Sequence, residues 1–179
     1  MSIDQKLSRS IHEFTKRSWV LRHLAVFCAD DLIWLMIGVV YGMTLLNQRS
    51  PILLALVIGM GLFLPWLVTA LISRFVQRER PYAKQGYQPT IKPFIETRSF
   101  PSSHATFVFC LALMSQVLVG EFFAWFLVGA VIVAFGRVAV GVHYVSDVLV
   151  GMLIGLVGGA AFPLMLSLIT LTKFDHLFI

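Results

Sequence analysis

Residues 101–119 read PSSHATFVFCLALMSQVLV. A proline, two serines and a histidine come first, and an apolar run without a single charge follows. Serine is a strong N-cap, so the polar tetrad predicts a helix start and the run predicts a membrane span over 103–119. A helix N-terminus presents unpaired N–H groups and is a ready anion site. The histidine, His104, rides on the first turn beside any anion held there. An ordinary serine-capped helix with an interfacial histidine is the competing reading of this stretch alone.

Working outward, four more apolar runs appear. They predict spans over 24–46, 51–75, 122–140 and 147–172. Of the 179 residues, 58% are hydrophobic and 13% charged. Soluble domains carry roughly 25% charged residues, so most of this surface faces lipid. The expected architecture is an all-α integral membrane bundle of about five transmembrane helices, with residues 1–179 as one membrane-embedded domain. Residues 3–17 place Ile3, Leu7, Ile11 and Phe14 at helical spacing against Lys6, Arg9, Glu13 and Lys16. That pattern predicts an N-terminal amphipathic helix lying at the membrane interface as an anchor.

Asp30 and Asp31 fall inside the first apolar run. Either one of them reaches a polar site in the bundle, or they cap a span that begins after them. Residues 47–50 predict a tight turn. Pro65 is a candidate kink in the second span. Gly151, Gly155 and Gly159, at four-residue spacing, predict close packing of the last span on a neighbour. Cys28 and Cys110 lie in apolar runs and read as small packing residues, not as a disulfide or a zinc site.

The net charge is +5. The basic residues gather at helix ends and in one loop, which fits anionic lipid headgroups rather than nucleic acid. The long polar loop, 76–101, has Arg74, Arg78, Arg80, Lys84, Lys92 and Arg98 in or beside it. Five spans place this loop, the 137–147 loop and the amino terminus on one side. Three clusters then meet: Arg80-Pro81 with Arg74 and Arg78, the PSSH tetrad, and GRVAVGVHYVSD with Arg137, His143 and Asp147. Arginine forks suit phosphate oxygens. His143 and Asp147 are four residues apart, a spacing that brings the carboxylate to the imidazole and leaves one ring nitrogen as a nucleophile or base. Two histidines, an orienting carboxylate and several guanidiniums make a phosphoryl-transfer site, and the membrane setting points to a phosphate ester carried by a lipid.

Taken in order, the clusters resemble the type 2 phosphatidate phosphatase superfamily, which also includes vanadium haloperoxidases. Its pattern is Lys-x6-Arg-Pro, then Pro-Ser-Gly-His, then Ser-Arg-x5-His-x3-Asp, and the likeness runs from about Leu71 to the end of the last span. The resemblance implies that His143 is the nucleophile that becomes phosphohistidine and that Asp147 orients it. It implies that His104 protonates the leaving lipid oxygen and later activates water. Arg80, Arg137, Ser102 and the Ser103 N–H would hold phosphoryl oxygens, with no metal and no cofactor. The sequence departs from the pattern at Gly136 (serine in the family), Ser103 (glycine) and Ser73 (lysine). Arg74 is the expected replacement for that lysine, with Arg78 or Lys84 reaching a second phosphoryl group.

The short chain, the single long loop and the acidic pair look most like the bacterial undecaprenyl-pyrophosphate phosphatase branch. Phosphatidylglycerophosphate, phosphatidate and lipid A phosphatases are the alternatives. A catalytically inactive lipid-binding membrane protein is the rival of another class. Of the 14 Lys and Arg, all but Arg49 and Lys173 fall on the site side. The positive-inside rule puts that side in the cytoplasm. The resemblance implies an extracytoplasmic site on the bacterial inner membrane, and we take that as the expectation.

Overall fold

A computed structural model describes residues 1–46, 51–92 and 98–171. The 47–50 turn, Arg49, Lys173 and the middle of the long loop lie outside these residues. The chain runs through α1 (Ile3–Lys16), α2 (Trp19–Val26), a π-helical turn (Phe27–Asp31), α3 (Leu32–Leu46), α4 (Pro51–Phe75), α5 (Pro81–Gln85), α6 (Ser103–Val119), α7 (Phe123–Ala139) and α8 (Val145–Leu171). No strand occurs among the described residues.

Helix α2, the π turn and α3 form one 28-residue apolar helix, Trp19–Leu46. It, α4 and α8 are long and apolar enough to cross a bilayer. Helices α6 and α7 are apolar and 17 residues each, near the short end of what spans a membrane. The protein is thus an all-α integral membrane bundle of five such helices with an N-terminal amphipathic helix. The first span begins at Trp19 rather than near residue 24. Asp30 and Asp31 are therefore interior to a continuous helix and cap nothing.

Helix α6 is the hub. It is buried on nearly every face and is packed by α3, α4, α7 and α8. Its closest neighbour is α8, and the glycine stripe is the reason. A Cβ on Gly151 would lie 2.5 Å from the Ser102 carbonyl oxygen, and one on Gly155 would lie 2.4 Å from that of Thr106. Only glycine allows this approach. The approach also brings the start of α8 against the start of α6, where Ser102 N–H donates to the Asp147 carbonyl at 3.0 Å. Helix α4 runs through Pro65, which packs where Gly158 of α8 leaves room.

Helix α1 turns its polar face inward. Ser8, His12 and Thr15 are buried, while Ile3, Leu7 and Phe14 are exposed, as suits an element whose outer side meets lipid. His12 bonds the Ala139 carbonyl through Nδ1 at 2.9 Å and stacks on Tyr87. Gly141 sits against that ring at φ 85°, a left-handed conformation that favours glycine. The helix is more than an anchor: it holds the 139–146 segment on which the site is built.

Candidate active site

A cavity of about 670 Å³ opens where α4, α6, α7 and the long loop converge. Its wall contains Arg80, Ser103, His104, Arg137 and His143. These five come from the three sequence clusters, as expected.

His143 lies in the short segment between α7 and α8 and is almost fully buried. Its Nδ1 is 2.8 Å from the Ser99 carbonyl oxygen. A carbonyl only accepts, so Nδ1 carries the proton and Nε2 keeps its lone pair. Nε2 lies 3.5 Å from Arg80 Nη1. Burial pushes the imidazolium down to about 4, with Arg137 and Arg80 adding to that effect and Asp147 opposing it. His143 is thus neutral near pH 7, the form a nucleophile needs.

The shortest contact of the His143 ring is with the Ser99 backbone, and Asp147 faces the same Nδ1 from slightly farther away. Asp147 Oδ2 is 3.7 Å from Nδ1. That oxygen accepts instead from the Tyr144 N–H at 2.8 Å. The carboxylate fixes the turn that carries His143 and contributes its charge from one step back. Helical spacing placed the two groups near each other: Asp147 is in the first turn of α8 and His143 sits two residues before that helix begins. Ser99, distant in sequence, makes the shorter of the two contacts.

Arg80 is the extended N-cap residue of α5. Pro81 at the first helical position sets that geometry, and Arg80 Nη1 donates to the Val142 carbonyl at 3.1 Å. Arg137 sits in the last turn of α7 and is buried. Its Nη1 donates to the Ala29 carbonyl at 3.3 Å and to Asp30 Oδ1. Asp30 Oδ1 is also 3.7 Å from His104 Nε2. Asp30 reaches the site, which settles the two readings left open by the sequence.

Three expected phosphate contacts are not on the described wall. Ser102 is fully buried, and its Oγ accepts from Ala105 N–H as the N-cap of α6. Arg74 is exposed in the last turn of α4, whereas its neighbour Ser73 does line the cavity. Arg78 is committed to Asp4 and Asp147, each at 2.6 Å. Lys84 is not on the wall either. Two other cations are: Lys92 and Arg98. The sequence marked both only as members of a basic loop.

The arrangement supplies an unprotonated ring nitrogen, a second imidazole across the cavity and four cationic side chains. That set is suited to in-line attack on phosphorus, where positioning and charge stabilisation carry the rate.

Residues 51–170 match the family model described as the PAP2 superfamily. The chain is 34% identical over 142 residues to the decaprenylphosphoryl-5-phosphoribose phosphatase of Mycobacterium tuberculosis, covering 78% of this chain and 75% of the relative. It is 31% identical over 153 residues to the putative undecaprenyl-diphosphatase YbjG of Escherichia coli K12, covering 78% and 70%. Among solved structures, the fold is similar to the PAP2 type phosphatidylglycerolphosphate phosphatase of Bacillus subtilis, with TM-score 0.66, 23% identity and 92% and 84% coverage. It is also similar to Aquifex aeolicus LpxE, with TM-score 0.68, 20% identity and 90% and 95% coverage. The motif order, the cavity that joins the motifs and these matches lead to one conclusion: the chain belongs to the PAP2 superfamily and is a membrane lipid phosphatase.

Proposed function

We propose that this phosphatase acts on a polyprenyl lipid carrier, hydrolysing undecaprenyl pyrophosphate to undecaprenyl phosphate without a metal, through a phosphohistidine on His143. The observation that carries the mechanism is the His143 ring. Its Nδ1 is tied to Ser99, and its Nε2 is left with a lone pair in the cavity. In the first step Nε2 attacks phosphorus and the bond to the leaving oxygen breaks. An N–H of the His104 imidazolium gives that oxygen its proton. In the second step water attacks the phosphohistidine, its proton passes to His104, and the N–P bond breaks to release phosphate. Arg80, Arg137 and the Ser103 N–H at the start of α6 hold the phosphoryl oxygens and supply the positive charge that a metal provides in other phosphatases.

The charge balance supports a pyrophosphate. Among the described residues, Arg80, Arg137, Lys92 and Arg98 line the cavity against the one carboxylate of Asp30, more positive charge than one phosphoryl group requires. The relative named for an undecaprenyl-diphosphatase agrees with this. The relative named for decaprenylphosphoryl-5-phosphoribose supports a second substrate, a terminal phosphate monoester on a polyprenyl-linked sugar. We place the whole chain, 1–179, in one domain of the bacterial inner membrane, with the cavity facing the extracytoplasmic side and a role in cell wall biogenesis.

Phosphate release from polyprenyl pyrophosphate, polyprenyl monophosphate, phosphatidate and phosphatidylglycerophosphate, with and without chelator, tests the proposal. The expected order puts the pyrophosphate first and shows no effect of chelator. Loss of activity in chelator, restored by magnesium, would contradict the metal-independent mechanism. A preference for a glycerolipid would contradict the substrate.

A further inference from the structure

Asp30 belongs to none of the three motif clusters, yet it stands in the cavity between two of their residues. Two local features put it there. The first is the π turn. Leu32 N–H bonds the Phe27 carbonyl, five residues back, so the helix is wider here than an α-helix. Such turns are rare and gather at functional sites. The Ala29 carbonyl accepts from Arg137 Nη1 at 3.3 Å, and the Asp30 side chain follows it onto the same nitrogen.

The second feature is Gly136, one residue before Arg137. A Cβ there would lie 2.8 Å from Ala29 N and 3.0 Å from the Cys28 carbonyl carbon. Both are backbone atoms that cannot yield without displacing the π turn. The family pattern has serine at this position. In this chain the serine's space is filled by the backbone of another helix, and that backbone delivers a carboxylate.

The resulting contacts are specific. Arg137 is buried, and a buried guanidinium needs an opposite charge. Asp30 supplies it. The pairing occupies Arg137 Nη1, Nε is buried with no partner among the described residues, and the side chain also lines the cavity where phosphoryl oxygens would sit. The same Asp30 oxygen lies 3.7 Å from His104 Nε2. Arg137, Arg80 and His143 line the same cavity and work against a proton on that ring, and this carboxylate opposes them.

We propose that Asp30, carried in by the π turn and admitted by Gly136, is a positioning residue shared by Arg137 and His104. It holds the guanidinium that binds the transferred phosphoryl group, and its negative charge offsets the Arg137, Arg80 and His143 side chains that disfavour a proton on His104, the proton that the leaving oxygen takes. This rests on the phosphohistidine reading, because that reading makes His104 the acid.

A general acid matters most when the leaving oxygen is basic. An alkoxide leaving group needs the proton, whereas 4-nitrophenolate departs without it. The experiment uses the full-length detergent-solubilised protein with decyl phosphate and 4-nitrophenyl phosphate. Asp30→Asn keeps the size and one acceptor oxygen but removes the charge. It should slow decyl phosphate about 10²-fold, slow 4-nitrophenyl phosphate far less, and move the basic limb of kcat/KM to lower pH by about 1 unit. Gly136→Ser, which displaces the π turn, should give the same leaving-group split. The double variant should be no slower than the worse single variant, because both changes remove one interaction. Equal slowing of both substrates by Asp30→Asn, or an unmoved basic limb, would overturn the assignment. His143→Ala in parallel tests the reading beneath it. If that variant stays active, the phosphohistidine mechanism fails. If it is dead while Asp30→Asn shows no split, only the role of Asp30 fails.

Discussion

Arg78 donates from Nη1 to Oδ1 of Asp147 at 2.6 Å, the carboxylate oxygen that does not face His143. Its Nη2 donates to Asp4 Oδ2, also at 2.6 Å. The guanidinium carbon lies 4.0 Å above the Tyr144 ring. Asp4 also accepts from Ser146 N–H at 3.1 Å and from its hydroxyl. Burial alone would raise the Asp4 carboxyl, but the bonds from Ser146 and Arg78 hold it below its ordinary value. Arg78 therefore joins the N-terminal helix to the base of the catalytic turn.

The first prediction follows from that junction. Arg78→Ala leaves the fully buried Asp147 without its counter-ion. The protein should lose about 3 kcal/mol of stability, the low end for a broken buried pair because Arg78 is partly exposed. Thermal unfolding in detergent measures this. Activity should fall to the same degree on mono- and pyrophosphates, since Arg78 faces Asp147 rather than the cavity. A selective loss on pyrophosphates would return Arg78 to the phosphate site.

The cation missing at Ser73 gives a second prediction. Arg74 is exposed and off the cavity wall, so Arg74→Ala should stay within about 0.5 kcal/mol of wild type in stability and retain its activity. Lys92→Ala and Arg98→Ala should each raise KM for pyrophosphate substrates more than for monophosphates. Removing one such donor costs on the order of 2.7–4 kcal/mol at an oxyanion and less farther from the reacting phosphorus. Steady-state kinetics on both substrate classes decides between the positions.

His143 yields a prediction in pH. Its folded imidazolium lies near 4, below the ordinary 6.5, because burial disfavours the charge. Between those values the unfolded chain binds a proton at this residue and the folded chain does not. Stability should therefore rise with pH across the window, by up to about 1.4 kcal/mol per pH unit, and gain nothing from this group above it. Histidine-selective NMR, assigned with His143→Gln, should show the ring unprotonated down to about pH 4. Titration near 6.5 would mean that the ring is solvated and the Ser99 contact is open.

Much of this was legible in the sequence, and the remainder was hidden for definite reasons. Helix α4 starts and ends where the apolar run does, and α6 begins at its serine cap, because proline and serine mark helix starts by local chemistry. The glycine stripe announced a close neighbour for α8, without saying that it is α6, because only small residues let helices approach that closely. Asp30 was ambiguous because a π turn breaks the 3.6-residue phase from which a facing direction is read. The role of α1 was hidden because a polar face against protein and an apolar face toward lipid give the same periodicity as an anchor on the membrane surface. Arg78 and Lys92 could not be sorted into support and cavity wall, because that division depends on contacts with Asp4 and Asp147, 74 and 69 residues away.

Helix α1 also fixes a topological prediction. It packs on the ends of α7 and α8 that carry the site, so the amino terminus and the cavity share one side of the membrane. Single cysteines at Ser2 and Gln85, in a protein with Cys28 and Cys110 replaced, should react alike with an impermeant thiol reagent in intact cells. Opposite labelling of the two would refute the packing of α1 on the site.

The central claim is that His143 Nε2 takes the phosphoryl group. Its most direct test is mass spectrometry of the His104→Ala protein quenched at high pH during turnover of a polyprenyl pyrophosphate. Without the group that activates water, the intermediate should accumulate as an acid-labile, base-stable phosphate on His143 and disappear in His143→Ala. A turning-over protein with no phosphate on His143, or with phosphate on another side chain, would contradict the account.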